Sequence, residues 1–79
     1  MVRVTLYTRP GCHLCDEAKK VLADARAQAE FELEEVDLDR HPDQKARFNE
    51  EVPVVFINGR KAFKYKVDAD EFLSRLRRW

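Results

Sequence analysis

The chain has 79 residues and is read as one domain, residues 1–79; folding at this length buries only about 60–65% of the unfolded surface, which leaves no room for a large internal ligand cavity. Apolar residues at 44% and charged residues at 38% suit a folded globular protein and argue against disorder. Fifteen Lys and Arg balance fifteen Asp and Glu, which argues against a dedicated nucleic-acid binder.

Val2 to Thr8 reads as a strand, with Val2, Val4 and Leu6 alternating with Arg3, Thr5 and Tyr7. Arg9-Pro10-Gly11 breaks it. A helix is predicted from about Cys12 to Gln28, because Leu14, Ala18, Val21, Leu22 and Ala25 form one apolar stripe. Asp16 and Glu17 favour its first turn. Phe31 to Leu38 is a second strand of mixed parity. Phe31 and Leu33 share one face and Val36 and Leu38 the other, so a bulge or an edge position is expected near Glu34-Glu35. Pro42 opens a short, weak helix to about Asn49, with Ala46 and Phe48 as its apolar face.

Val54-Val55-Phe56-Ile57 is apolar without alternation, which suits a central strand covered on both sides. Asn58-Gly59 predicts a type I′ hairpin, and Lys61 to Tyr65 its return strand, whose lysines suit an edge. Asp68 is placed to cap a last helix, with Glu71 completing a capping-box-like pair. Ala69, Phe72, Leu73 and Leu76 form its buried stripe, and Arg75, Arg77 and Arg78 lie near its negative end. The order is β-α-β-α-β-β-α. The first crossover makes its two strands parallel and the hairpin makes its two antiparallel, so the fold class is α/β, a four-stranded mixed sheet with helices on both faces.

Charge is unevenly distributed: acids exceed bases from Asp24 to Glu51, and bases exceed acids from Arg60 to Arg78. Two solvated faces of opposite sign account for this. Met1 leads straight into the first strand without basic or apolar leader regions, and no stretch approaches the ~20 apolar residues of a membrane span. A cytoplasmic monomer without membrane or nucleic-acid partners is expected. In that compartment two cysteines point to catalysis or metal rather than to a structural staple.

Cys12-His13-Leu14-Cys15 falls where a strand hands over to a helix. The first amides of a helix lack intrahelical partners, so a sulfur at position 12 can accept them and gain from the positive dipole end. The thiolate is both the attacking and the leaving form in disulfide exchange. Cys15, one turn on along the same face, is expected to be the less exposed sulfur and to displace substrate from Cys12. His13 is either a charge beside the thiolate or an exposed loop residue. Arg9 is either a neighbour that favours the thiolate, a holder of a substrate carboxylate, or a solvated arginine. Two cysteines make half a structural zinc site, and His13 and His41 do not complete it; no metal is expected. An iron–sulfur cluster shared between two chains is the alternative from another class.

Leu6-Tyr7-Thr8-Arg9-Pro10-Gly11-Cys12-His13-Leu14-Cys15, Val36-Asp37-Leu38-Asp39 and Val52-Pro53-Val54-Val55-Phe56-Ile57-Asn58-Gly59 together resemble the glutaredoxin-like branch of the thioredoxin superfamily, over nearly the whole length. The resemblance implies a thioredoxin fold and a dithiol–disulfide oxidoreductase with Cys12 as nucleophile and Cys15 as resolving thiol. It implies a cis Pro53 facing the cysteines, with the Val52 backbone pairing to an extended substrate, and Asp68 in the segment that holds the γ-glutamyl end of glutathione. The expected substrate is a disulfide-bearing protein or a small thiol disulfide, with glutathione or a reductase as electron donor and no resident cofactor. One departure stands out. Glutaredoxins carry a Gly-Gly pair after the hairpin, whereas this chain has Phe63-Lys64-Tyr65-Lys66, which weighs against glutathione. A binding module that keeps the fold without useful activity is the other alternative.

Overall fold

A computed structural model describes residues 2–48 and 50–78. Its elements are β1 (Arg3–Thr8), α1 (His13–Arg26), β2 (Glu32–Asp37), α2 (Pro42–Phe48), β3 (Val54–Ile57), β4 (Arg60–Lys64) and α3 (Ala69–Leu76), with a single 3-10 turn at Leu38–Arg40 before α2. The sheet order is β2-β1-β3-β4. β1 pairs parallel with β2 and antiparallel with β3, and β3 pairs antiparallel with β4. The predicted mixed sheet is therefore present.

Strand alternation sends each residue to one of two cores. Val4 and Leu6 of β1 and Val55 and Ile57 of β3 join Ala18, Leu22 and Ala25 of α1 and Phe72 and Leu76 of α3. On the opposite face Tyr7, Val54 and Phe56 meet Leu38 and Phe48. Helices α1 and α3 thus cover one face and α2 the other. The unbroken apolar run of β3 follows from its burial on both sides.

The mixed parity of β2 comes from its edge position. Its register with β1 runs without a shift from Arg3↔Glu32 to Thr8↔Asp37, so there is no bulge at Glu34-Glu35. Leu33 lies on the α1/α3 side, opposite Val4, while Val36 lies beside Tyr7 on the other face. The register shift is instead in the β3–β4 hairpin between Val55 and Phe56. It occurs at the other edge, where a strand can kink without losing two partners.

Two further boundaries move, and one predicted apolar face is reduced. β4 ends at Lys64 because Tyr65 has φ +68°, outside strand geometry. α1 ends at Arg26, where Ala27 and Gln28 bend their N–H groups back to Asp24 and Ala25. In α2 only Phe48 is buried, packed on Tyr7 at 4.9 Å and Phe56 at 5.6 Å between ring centroids; Ala46 is exposed. A two-turn helix at the sheet's rim can seat one large side chain but not its whole predicted face. Asn49, the expected end of α2, lies outside the described residues.

The hairpin is as predicted: Asn58 and Gly59 take φ +50° and +83°, as a type I′ turn requires. The Asn58 side chain accepts the Arg3 N–H at 3.0 Å and the Asn58 N–H donates to the Arg3 carbonyl at 2.8 Å. At α3 the capping box is half formed. Asp68 Oδ1 accepts the Glu71 N–H at 3.0 Å, but the Glu71 carboxylate turns forward to Arg75 at 3.3 Å. Asp68→Ala is expected to cost about 1 kcal/mol and to lower the melting temperature by about 4–8 °C, as read by calorimetry. An unchanged melting temperature would show that the cap contributes nothing.

Candidate active site

The C-terminal end of β1 delivers the chain into a tight turn. The Cys12 N–H donates to the Arg9 carbonyl at 3.3 Å, and Gly11 has φ +74°. With Pro10 ahead of it, this is the arrangement of a type II turn, whose third residue needs positive φ. The sequence Arg-Pro-Gly-Cys thus reverses the chain and sets Cys12 at the N-cap of α1.

Cys12 caps the helix with sulfur. Its Sγ accepts the Cys15 N–H at 3.2 Å, and its carbonyl accepts the Asp16 N–H at 3.2 Å. A cap is normally an oxygen of Ser, Thr, Asp or Asn; the geometry here puts a reactive atom in that role. Cys12 is half-buried and Cys15 fully buried, and both are free thiols. Burial pushes the Cys15 thiol from the ordinary 9.0 up to about 12, and its hydrogen bond with the Cys12 sulfur adds to this. A backbone hydrogen bond from Arg9 and the charge of Lys19 act the other way. At neutral pH Cys15 is a thiol held in reserve behind the outer sulfur.

This shift has a consequence for stability. Above pH 9 the unfolded chain has released the Cys15 proton while the folded chain keeps it, so the unfolded state binds fewer protons and stability falls with pH. The contribution is intact below pH 9 and is lost progressively toward pH 12, at about 1.4 kcal/mol per pH unit. Denaturation of the reduced protein should therefore show a steeper alkaline loss than Cys15→Ala, in which all other groups still titrate. Parallel pH curves for the two would contradict the burial assigned to this thiol.

The proline loop leads into β3 at the end of the sheet where β1 runs out toward the pair, with Val54 opposite Tyr7. The Val52–Pro53 peptide is cis, as the resemblance implied, and Pro53 is fully buried. The Tyr65 N–H donates to the Pro53 carbonyl at 2.9 Å and to the Glu51 carbonyl at 3.3 Å. The Glu51 carboxylate receives Lys61 Nζ at 2.7 Å and lies 3.8 Å from Lys64 Nζ. The Lys61 hydrogen bond holds the Glu51 carboxyl below the usual range. Edge strand β4 thereby anchors the loop from both sides. Among the described residues no backbone hydrogen bond uses the N–H or carbonyl of Val52.

The other predicted site residues are less directly engaged. The His13 side chain is 87% exposed, and its Nε2 lies 3.7 Å from Glu17 Oε1, so it faces a carboxylate on the outer side of α1. Arg9 lines a polar cleft with Thr8, Lys19, Glu35 and Asp37. Asp68 Oδ1 is occupied by the helix cap. Sequence reasoning noted Tyr65 only within the glycine-free stretch after the hairpin and missed its backbone role: it is an exposed aromatic at positive φ that fastens the proline loop through its own N–H. Its signal was the missing glycine at that point in the chain. It also passed over Lys19, whose signal was its spacing of one helical turn from Cys15. Among the described residues no group of three His, Cys, Asp or Glu side chains is arranged to hold a metal, and no helix is long and apolar enough to cross a membrane.

A strand-to-helix cysteine pair and a cis-proline loop at the same end of a four-stranded sheet, with helices on both faces, make a thioredoxin-like architecture. The chain belongs to the family described as Glutaredoxin-like domain (DUF836), which matches residues 3–77. It is 32% identical over 76 residues to the glutaredoxin-like protein YDR286C homolog of Dictyostelium discoideum, covering 89% of this chain and 70% of that one. The X-ray structure of protein XcR50 from X. campestris superposes with a TM-score of 0.77 at 34% identity, covering 96% of this chain and 97% of that chain. The glutaredoxin-like protein NrdH-redoxin from Escherichia coli shares the fold, with a TM-score of 0.68 at 23% identity over 94% of this chain and 93% of that chain.

Proposed function

We propose that this protein is a dithiol–disulfide oxidoreductase. The observation that carries the proposal is the division of labour at the start of α1. One cysteine is half-buried with its sulfur bonded to a helix amide, and the other is fully buried one turn behind it. Cys12 attacks a substrate disulfide and forms a mixed disulfide, releasing the first substrate thiol. Cys15 then attacks Cys12, the Cys12–Cys15 bond forms, and the second substrate thiol departs. Two electrons pass to the substrate, and an external thiol or reductase restores the dithiol. The Val52 backbone, which makes no backbone hydrogen bond among the described residues, supports docking of an extended disulfide-bearing polypeptide by strand addition, and a small thiol disulfide needs only the sulfurs.

A reductase is the better-supported electron donor. Where the family's glycines would let glutathione approach the backbone, Tyr65 stands 45% exposed, and Asp68 is committed to its cap. NrdH-redoxin, itself a glutaredoxin-like protein, has a thioredoxin-like activity profile, which agrees with this reading. We place the protein in the cytoplasm, where both thiols stay reduced between turnovers, as a monomer without a resident cofactor.

The deciding experiment is dithiothreitol-driven reduction of a disulfide-bonded polypeptide, compared with an unstructured Cys-His-Leu-Cys peptide at equal thiol concentration. The folded protein should be faster by about tenfold or more, since the fold holds the two sulfurs in place for successive attack. Equal rates would remove the oxidoreductase reading. Reduction of the oxidised protein by glutathione, set beside a thioredoxin-reductase system, then tests the donor; a fast glutathione reaction would reverse that assignment.

A further inference from the structure

Resolution of the mixed disulfide sets a chemical problem. Cys15 must act as a thiolate, yet it is fully buried in surroundings that favour the neutral thiol. Some feature of the fold has to offset that cost at the moment of attack. Three groups act on Cys15: the Cys12 sulfur, the backbone of Arg9 in the loop before it, and Lys19 on its own helix. The cleft that Lys19 lines also takes in Thr8 of β1 and Glu35 and Asp37 of β2. His13 and Glu17 pair with each other on the outer face of α1.

Lys19 stands out among these. It lies four residues after Cys15, so the two side chains rise from the same helical face with Cβ atoms about 5–6 Å apart. It is half-buried at the margin of the stripe formed by Cys15, Ala18 and Leu22, whereas the adjacent Lys20 is exposed. It reaches a polar cleft of about 250 Å³ lined by Thr8, Arg9, Pro10, Glu35 and Asp37. Among the described residues no carboxylate lies within ion-pair distance of Lys19. An ordinary surface lysine extends its stem over apolar neighbours and puts its charge in water. This one is half-buried and lines the cleft behind the active-site turn together with Arg9 and Pro10, where a charge is screened less than in open water.

We propose that Lys19 is a positioning residue for the resolving step, its ammonium set one helical turn behind Cys15 to favour the charge that appears on that sulfur as it attacks. The inference rests on the dithiol reading above and deepens it. In the step itself the Cys15 S–H bond breaks and its proton is lost to solvent. The Cys15 sulfur forms a bond to Cys12 as the bond from Cys12 to the substrate sulfur breaks. The departing substrate thiolate carries away the electron pair and takes up a proton from solvent. The substrate sulfur is reduced, the protein dithiol is oxidised, and Lys19 is unchanged. The direction in which Lys19 acts on Cys15 agrees with this.

The test is a single-turnover reaction of the fully reduced protein with a disulfide-bonded peptide, quenched in acid and followed by mass spectrometry. Lys19→Met should let the mixed disulfide accumulate, with its resolution about three- to tenfold slower at neutral pH, as loss of one partly screened charge implies. The pH dependence of resolution should move upward. Lys19→Arg should restore the rate, and Lys20→Met, which removes the same net charge from the same helix, should leave resolution as in the wild type. Lys19→Gln supplies a second neutral variant should the methionine perturb the helix. Equal behaviour of the Lys19→Met and Lys20→Met proteins would overturn the inference, as would equal slowing of mixed-disulfide formation and resolution. A wild type that forms no mixed disulfide would overturn the dithiol reading and this inference with it.

Discussion

Cys12→Ser is expected to stop catalysed disulfide exchange, lowering the rate by about 10³-fold or more, because a hydroxyl at neutral pH is neither ionised nor able to take the sulfur's place in exchange. The fold should survive. A serine oxygen is a better cap acceptor than sulfur, and position 12 is only half-buried. The substitution therefore separates chemistry from structure: melting should be unchanged or slightly raised while turnover vanishes. Cys15→Ser should behave differently. The outer sulfur still attacks, but nothing internal resolves the product, so a mixed disulfide should accumulate and be visible by mass. Retention of turnover by Cys12→Ser, or trapping by Cys12→Ser rather than Cys15→Ser, would reverse the roles assigned to the two sulfurs.

Phe72→Ala should have the largest effect on stability. Phe72 is fully buried, 5.4 Å from the Phe31 ring and 6.2 Å from the Phe63 ring between centroids. It carries α3 onto the same core that seats α1. Truncating a buried phenylalanine typically costs about 3–5 kcal/mol through lost transfer energy and the cavity left behind. A domain of this size has about 4–12 kcal/mol in total. Much of the margin would go, and a substantial unfolded population is expected at moderate urea concentrations. Phe72→Leu, which keeps most of the volume, should cost less than half as much. A loss below about 1 kcal/mol for Phe72→Ala would mean that the two-sided core does not depend on this side chain as its packing implies.

The site and the core are linked through short connections. The β1 residues that fill the α1/α3 core, Val4 and Leu6, lie on the strand that ends at Thr8, a few residues before Cys12. β3 follows Pro53 immediately and is buried along both faces. Neither the turn nor the proline loop is a long excursion, so packing of the sheet sets their positions. The Lys61–Glu51 pair from edge strand β4 and the N–H of Tyr65, just past its end, then tie the proline loop down.

Much of this was legible in the linear chain, because it depends on local rules. Alternation in Val2–Thr8, the apolar run Val54–Ile57, the Asn58-Gly59 turn and the Asp68 cap each report a backbone preference that operates within a few residues. The Cys12–Cys15 spacing at a strand-to-helix junction likewise fixes which sulfur meets the free amides. Other features were decided only when distant segments came together. β2 could be regular rather than bulged because it lies on an edge and gives its two parities to two cores. Ala46 lost its predicted place because a single ring, Phe48, fills the space between Tyr7 and Phe56. Tyr65 acquired its positive φ from hydrogen bonds to the carbonyls of Pro53 and Glu51. Burial of Cys15 and the placement of Lys19 beside the cleft also required the sheet to be assembled. The physical reason is common to all of them: turns, caps and periodicity are short-range energies, whereas burial, partner choice and charge environment depend on which remote surfaces meet.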